Sequence, residues 1–328
     1  MLLYALKRAA LAVPFVLAAA TLVFLLLETA PGSPTDHLLG DRPVPPEIRE
    51  RLERAYGLDR GPLERYGAWL GSLARGDLGW SHSRARPVAR LLAEALPATL
   101  LLTGTALLVQ ALVGVVAGVL GAATRGRWID RGLTAGGLLL CSMPVFWIGL
   151  VSILVFAYLL PLAPSSGMRT PGLTDASALG RAADVLRHLA LPAAVLGLTS
   201  AAALSRFVRA SMVEALGQGF VRAARARGIA ERRVLLRHAL RNGLGAVLGL
   251  TALSLPVLVS GSLVVEVVFS WPGMGRLSYE AIQAKDVAVV LATTLLSATL
   301  VAGGSLGADV ALAALDPRVR LARTRYAP

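Results

Sequence analysis

The 328-residue sequence holds a single cysteine, Cys141, two lysines, Lys7 and Lys285, and 5% aromatic residues. One cysteine inside an apolar run excludes intrachain disulfides, Cys-ligated zinc and iron–sulfur clusters. A phosphate loop of the form G-x-x-x-x-G-K-[ST] needs a lysine after a glycine, and neither lysine follows one, so the chain cannot be its own P-loop ATPase. There is no H-E-x-x-H, and His37, His82, His188 and His238 are scattered without metal-ligand spacing. No catalytic, metal-binding or cofactor-binding set is expected, and the enzyme class recedes.

What fills the chain instead is apolar: 55% of residues and a mean hydropathy of +0.64, with only 16% charged. That is too apolar for a soluble domain and points to a bilayer. Apolar runs near residues 9–29, 97–123, 133–160, 188–205, 244–265 and 287–313 each approach the roughly 20 residues that cross about 30 Å of hydrocarbon. The expected fold is therefore an all-α integral membrane protein with six transmembrane helices. The first run is too long for a cleaved signal's apolar region of about 7–15 residues, and reads as an anchor.

The net charge is +13. Six spans put both termini on one side. Segments 1–8, 124–132, 206–243 and 314–328 then share a face with 18 basic residues against four acids, Asp130, Glu214, Glu231 and Asp316. The opposite face is nearly neutral, with 15 basic residues against 14 acids. By the positive-inside rule the basic face and both termini are cytoplasmic, and the charge reports orientation, not nucleic-acid binding.

Small-residue pairs at four-residue spacing, Gly114/Gly118, Gly132/Gly136, Gly245/Gly249 and Gly303/Gly307, are expected to let helices pack closely. Pro144 and Pro256 are expected to kink spans at mid-length. Among polar groups at membrane depth, Gln110 either bonds between helices or lines a pathway, while Glu28 and Asp309 sit near span ends where snorkelling or a local bond suffices. So few buried ionisable residues weigh against an ion-gradient-driven secondary transporter, which stays as the alternative reading.

The outer segment 31–95 is long enough for a helical cap. Pro46 can open one helix carrying Ile48, Leu52, Ala55 and Tyr56, ended by Gly57. A second would present Leu63, Tyr66, Leu70 and Leu73, ended by Gly76, and Pro87 would open a stretch running into the second span. On the basic face, Val213, Leu216, Phe220 and Ala224 repeat at three and four residues and predict an amphipathic helix over 211–226. Gly228 breaks it, and Glu231 opens a second helix through Val234, Leu235 and Leu240. Anionic lipid attracts such a segment, but two short helices joined at a glycine also form a compact knob suited to helix-in-groove recognition.

Read in order, Pro31-Gly32-Ser33-Pro34, Tyr56-Gly57-Leu58-Asp59, Arg75-Gly76-Asp77-Leu78-Gly79, Leu96-Pro97-Ala98-Thr99-Leu100, Trp271-Pro272-Gly273-Met274-Gly275 and Leu315-Asp316-Pro317-Arg318 span nearly the whole chain. With six spans, this order resembles the permease subunits of ATP-binding-cassette importers of the dipeptide, oligopeptide and nickel family, the first of their two permease types. Segment 206–243 resembles that family's EAA loop: Arg222-Ala223-Ala224, then Gly228, then His238-Ala239-Leu240-Arg241. Ala223, Ala224, Gly228 and Leu240 match its pattern, whereas Arg222 replaces the glutamate, His238 the isoleucine and Arg241 the proline.

The resemblance implies a type I importer-like bundle with an N-terminal end and first span (1–30), an extracytoplasmic helical cap (31–95), a permease core (96–314) and a cytoplasmic tail (315–328). It implies a multi-pass protein of the bacterial inner membrane that forms half of the translocation pathway for peptides, though the resemblance also admits nickel chelates, glutathione and oligosaccharides as cargo. The helix-turn-helix at 211–241 would couple it to a separate ATPase. The implied partners are a homologous second permease, two ABC ATPase subunits that hold the ATP and Mg, an extracytoplasmic substrate-binding protein and membrane lipid. No cofactor is expected in this chain.

Overall fold

The computed structural model describes residues 2–29, 45–55, 59–173, 177–240, 251 and 254–315. Almost all of them are helical. Helix α1 (Leu2–Thr29) is followed by two short helices, α2 (Pro46–Ala55) and α3 (Pro62–Ala74). A two-residue hairpin, β1 (Trp80–Ser81) against β2 (Arg86–Pro87), then leads into α4 (Val88–Ala123). Helices α5 (Trp128–Ser142) and α6 (Val145–Ile153) come next, α6 running on into a π-helical turn at Leu154–Leu159. Helix α7 (Ala178–Leu216) precedes α8 (Gly219–Ala226) and α9 (Glu231–Arg233), which continues as a π-helical turn over Val234–Ala239. Helices α10 (Leu255–Val268), α11 (Met274–Gln283) and α12 (Val287–Leu315) complete the described chain.

Four of these helices are long and apolar enough to cross a bilayer, and α5 with α6 makes a fifth if the bent pair counts as one span. The expected run 244–265 falls largely outside the described residues, which resume as a helix at Leu255. The expected third span is not one kinked rod: α5 and α6 meet at 104°. Proline supplies no N–H and disfavours helical backbone in the residue before it, and Met143 before Pro144 is extended, with φ −94° and ψ 139°. Pro256 lies in the first turn of α10, where a missing donor costs nothing; the preceding part of the run in which it was expected to make a kink lies largely outside the described residues.

The central seam is α4 against α7, the most extensive helix pairing among the described residues. Here the backbones approach closely because glycines face large side chains. A Cβ on Gly118 would fall 2.5 Å from the Val208 Cβ, one on Gly114 2.9 Å from a Leu204 methyl, and one on Gly197 2.7 Å from the Val109 Cβ. The expected pair Gly114/Gly118 is therefore a packing surface. Gly132/Gly136 and Gly303/Gly307 are not, as nothing in the described chain comes within 4 Å of their Cβ positions, and Gly245/Gly249 lie outside the described residues.

Ala98, Leu102 and Ala106 of α4, Leu189, Leu191, Ala193, Val195 and Leu196 of α7, and Val265, Phe269 and Trp271 form the main apolar core. A second cluster joins the outer turns of α4 to α11 and α12, with Val23 and Leu27 of α1 packed on it. Helix α3 leans on α1, because Arg65 pairs with Glu28, the Tyr66 hydroxyl bonds Thr21, and the Tyr66 ring lies 5.1 Å from that of Phe24. Both expected outer helices are present, the one opened by Pro46 and the one carrying Leu63 to Leu73; Gly76 ends α3 with a left-handed φ of +78°, while Tyr56 and Gly57 lie outside the described residues.

The seam carries a test. Filling Gly118 overpacks a contact with no slack, at a cost of about 1–3 kcal/mol or more. Gly118→Leu should lower the melting temperature of the detergent-solubilised protein by several degrees and reduce its yield, whereas Gly132→Leu should change neither by a comparable amount.

Candidate functional site

The basic segment after the seam folds as a knob at the end of α7. Expectation and structure differ here: the helix predicted over 211–226 is divided at Gly217 and Gln218, so its first half is the last turns of α7 and its second half is α8. Gly217 closes α7 with N–H bonds to carbonyls in the last turn, and α8 restarts on Gln218 in extended conformation. Gly228 then takes φ +74°, a left-handed turn that glycine adopts without strain, and the chain reverses into α9.

The knob has a core of its own. Val221, Ala224 and Val234 are buried together, with Leu216 and Ile229 beside them. Across the turn, Arg225 donates to Glu231 at 2.6 and 3.1 Å. That guanidinium holds the Glu231 carboxyl below its ordinary value of 4.5. The brace is thus intact above that value and is lost only as pH falls through the lowered one. Ala239 is fully buried against Val208, Met212 and Ala215 of α7, which seats the knob on the long helix.

This arrangement divides the residues picked from the sequence. Arg222 and Ala223 are exposed, and Gly228 is exposed at the turn with no atom within 4 Å of its Cβ position. Ala224 faces the knob's own core and Leu240 packs against the α7 cluster, so neither belongs to the outer surface. Phe220, which the sequence spacing placed on the apolar face with Leu216 and Ala224, is instead 41% exposed, as is Leu236 at 48%, which the spacing did not single out. Gln110 is buried and exchanges bonds of 2.9 and 3.0 Å with Ser254, an interhelical link. Glu28 is taken by Arg65, and the side chain of Asp309 lies outside the described residues.

Three buried carboxylates escaped the sequence reading because each was counted as a loop charge. Asp130, in the first turn of α5, takes both Nε and Nη2 of Arg209 at 2.5 and 2.7 Å. Asp286 accepts from the hydroxyls of Ser81 and Ser83 at 2.6 and 2.8 Å, which fastens the hairpin to the start of α12. Glu266, fully buried, accepts from the Thr99 hydroxyl at 2.8 Å and from the N–H groups of Gly275 and Arg276 at 2.7 and 3.1 Å. A carboxylate on the first-turn donors of α11 caps that helix.

The signal for Glu266 was present in Trp271-Pro272-Gly273-Met274-Gly275. A Cβ on Gly273 would fall 2.4 Å from the carboxylate, and one on Gly275 would fall 2.4 Å from the Leu263 backbone. The Trp271 indole donates to the Ala98 carbonyl at 2.8 Å, and the Met274 N–H to the Thr99 hydroxyl at 2.8 Å. Two strings far apart in sequence, 96–100 and 271–275, thus form one knot.

The letters G-x-S-x-G do occur, at Gly303-Gly304-Ser305-Leu306-Gly307, but inside the uninterrupted helix α12 and not on a strand-to-helix turn, so Ser305 is no nucleophile elbow. Among the described residues no three His, Cys, Asp or Glu side chains cluster as metal ligands.

Replacing Glu266 by Gln turns an amide N–H₂ toward groups that are already donors. The buried mismatch should cost about 1–3 kcal/mol and appear as a lower melting temperature, with Thr99→Val showing a smaller loss of the same kind.

Comparison with known proteins gives a consistent picture. Residues 114–321 match the family described as binding-protein-dependent transport system inner membrane component. The oligopeptide transport system permease protein AppB of Bacillus subtilis is 36% identical over 96% of this chain and 98% of its own length. The di/tripeptide transport system permease protein DppB of Pseudomonas aeruginosa is 35% identical over 98% and 99%. Among solved structures, the inward-facing MetNI methionine ABC transporter matches with a TM-score of 0.53 at 19% identity, over 70% of this chain and 97% of the matched chain, a likeness of fold.

Proposed function

This chain belongs to the inner membrane components of binding-protein-dependent transport systems, and from that premise we propose that it is the permease subunit of an ATP-driven peptide importer, coupled to its ATPase through the knob at 217–239. It is a transport subunit and not a catalytic ATPase. A binding-protein-dependent ABC system implies an ATPase and a binding protein as partners. The fuller assembly proposed has a homologous second permease completing the pathway, two ATPase subunits carrying ATP and Mg, and an extracytoplasmic binding protein delivering substrate. The names of the relatives AppB and DppB support peptides as cargo.

We place both termini and the knob on the cytoplasmic side, on the strength of the basic excess of that face. The bundle would have six spans, the fifth being the run 244–265. The chain would divide into first span, outer cap, permease core and tail at residues 30, 95 and 314.

The observation that carries the coupling role is the knob's construction. Its core is closed by Val221, Ala224 and Val234, which leaves Phe220, Arg222, Ala223 and Arg227 facing outward beside a turn that only glycine makes freely. Such a surface suits insertion into a groove, with Phe220 as an apolar anchor and small Ala223 permitting close approach. Ala224 and Leu240 support that surface from behind.

Purification of the tagged chain from its host in mild detergent should bring down a second permease and P-loop ATPases. Ala223→Trp or Gly228→Val should leave the membrane protein accumulating, while ATPase co-purification and uptake each fall at least tenfold. Undiminished uptake in Gly228→Val sinks the coupling assignment. Uptake that survives ATP depletion and collapses with a protonophore would make the chain a secondary carrier.

A further inference from the structure

The basic face holds an ion pair that the coupling reading does not use, its carboxylate buried and its guanidinium about a third exposed. Asp130 is 4% exposed, and it is the only buried residue of α5 among those described. Both of its oxygens are engaged: Oδ1 takes Arg209 Nε, while Oδ2 takes Arg209 Nη2 and, at 2.9 Å, the N–H of Gly126. Gly126 has φ +79°, so the turn between α4 and α5 is shaped to deliver that N–H. Beneath the pair lies Gly121 of α4, whose Cβ position is 3.2 Å from the Arg209 Cδ and 3.4 Å from Asp130 Oδ1. One contact therefore ties the end of α4, the turn, the start of α5 and the side of α7.

Two further facts place this junction in the path of any force applied at the knob. Arg209 stands two turns, about 10 Å, before the end of α7. Within those same turns, Met212 and Ala215 seat Ala239 of the knob. Among the described residues the rest of α5 buries no side chain: nothing lies within 4 Å of the Cβ positions of Gly132 and Gly136, that of Gly137 is 3.7 Å from the Ala202 Cβ, Cys141 receives Arg206 at 3.7 Å, and the helix ends at the 104° bend before α6. An apolar seam would hold these parts together but allow sliding. A bidentate guanidinium–carboxylate pair fixes distance and angle at once. A pair whose carboxylate is buried is a poor source of stability compared with apolar packing, and its use here is to specify one arrangement of the helices it joins.

We propose that Asp130 and Arg209 are the positioning pair that makes α5 move with the knob-bearing end of α7, so that motion imposed by the ATPase reaches the bent α5–α6 unit. This rests on the coupling role proposed above. The pair touches neither nucleotide nor substrate and acts through the helices it joins.

The test uses the complex purified from its host and hydrogen exchange at two places, the knob (219–239) and the turn (124–131), before and after the ATPases are trapped with ATP and vanadate. In the native complex both places should change together. In Asp130→Leu combined with Arg209→Met, which keeps the junction apolar and packed, the knob should still respond. Exchange at 124–131 should rise at least fivefold and lose its dependence on nucleotide. Arg209→Lys should fall between, and the exchanged pair, Asp130→Arg with Arg209→Asp, should recover part of the coupled response.

A turn that responds in the Leu/Met variant as in the native complex overturns the positioning role. Failure of every variant to assemble makes the pair a folding element and overturns it equally. A native complex that brings down no ATPase overturns the coupling reading, and the inference with it. A knob that responds while the pair proves dispensable overturns the inference alone.

Discussion

Lipid offers helices no hydrophobic reason to associate, so close backbone approach has to hold this protein together, and the α4–α7 seam is where it does so. Gly114, Gly118 and Gly197 open the space that Leu204, Val208 and Val109 fill. Helices of 36 and 39 residues are about 54 and 58 Å long, well beyond the roughly 30 Å of hydrocarbon. Their shared axis therefore projects past the membrane. At one end α4 supplies Ala98 and Thr99 to the knot around Glu266; at the other α7 carries Arg209, Met212 and Ala215 to the knob. A single packed seam sets the separation of the two polar ends.

Those ends are built on one principle. Glu266, Asp286 and Asp130 are buried carboxylates, and each collects donors from segments distant in sequence: Thr99 for Glu266, Ser81 and Ser83 for Asp286, Arg209 for Asp130. A buried charge whose donors are complete is tolerated, but removing one donor leaves the full desolvation cost exposed. Such groups therefore discriminate between arrangements more than they stabilise one. They lie at the ends of the helices, where the short helix α11, the β-hairpin and the α4–α5 turn would otherwise lack a defined seat.

The apolar runs and small-residue spacing made the long helices, the packing face at Gly114/Gly118 and the start of α4 at Pro87 legible from sequence, since each depends on local composition, but not that α7 fills that face. Pro144 was legible as an interruption, but its 104° consequence depends on where α6 finds packing, with Gly149 against Val268 and Phe269. The carboxylates were invisible for another reason: a charge ledger assigns Asp130, Glu266 and Asp286 to water by their place between apolar runs, and burial at a helix end cannot be read from such a ledger. The knob was legible in outline through Gly228 and Glu231. Ala223 and Ala224, adjacent and chemically identical, are told apart only by the fold, which turns one outward and the other into the core.

That division bears on how a knob so small can transmit anything. Isolated helices of 8 residues are marginal in water, and three buried side chains are too few to hold α8 and α9 together alone. The Arg225–Glu231 brace adds little where both side chains are about half exposed. What remains is the seat on α7, where Ala239 is fully buried. The knob is thus ordered only as an extension of the long helix, and cannot shift without either carrying the last turns of α7 or giving up its own core. On the proposed reading, that dependence makes a rigid coupling: the weakness of the knob as an independent unit obliges the membrane helix to follow it.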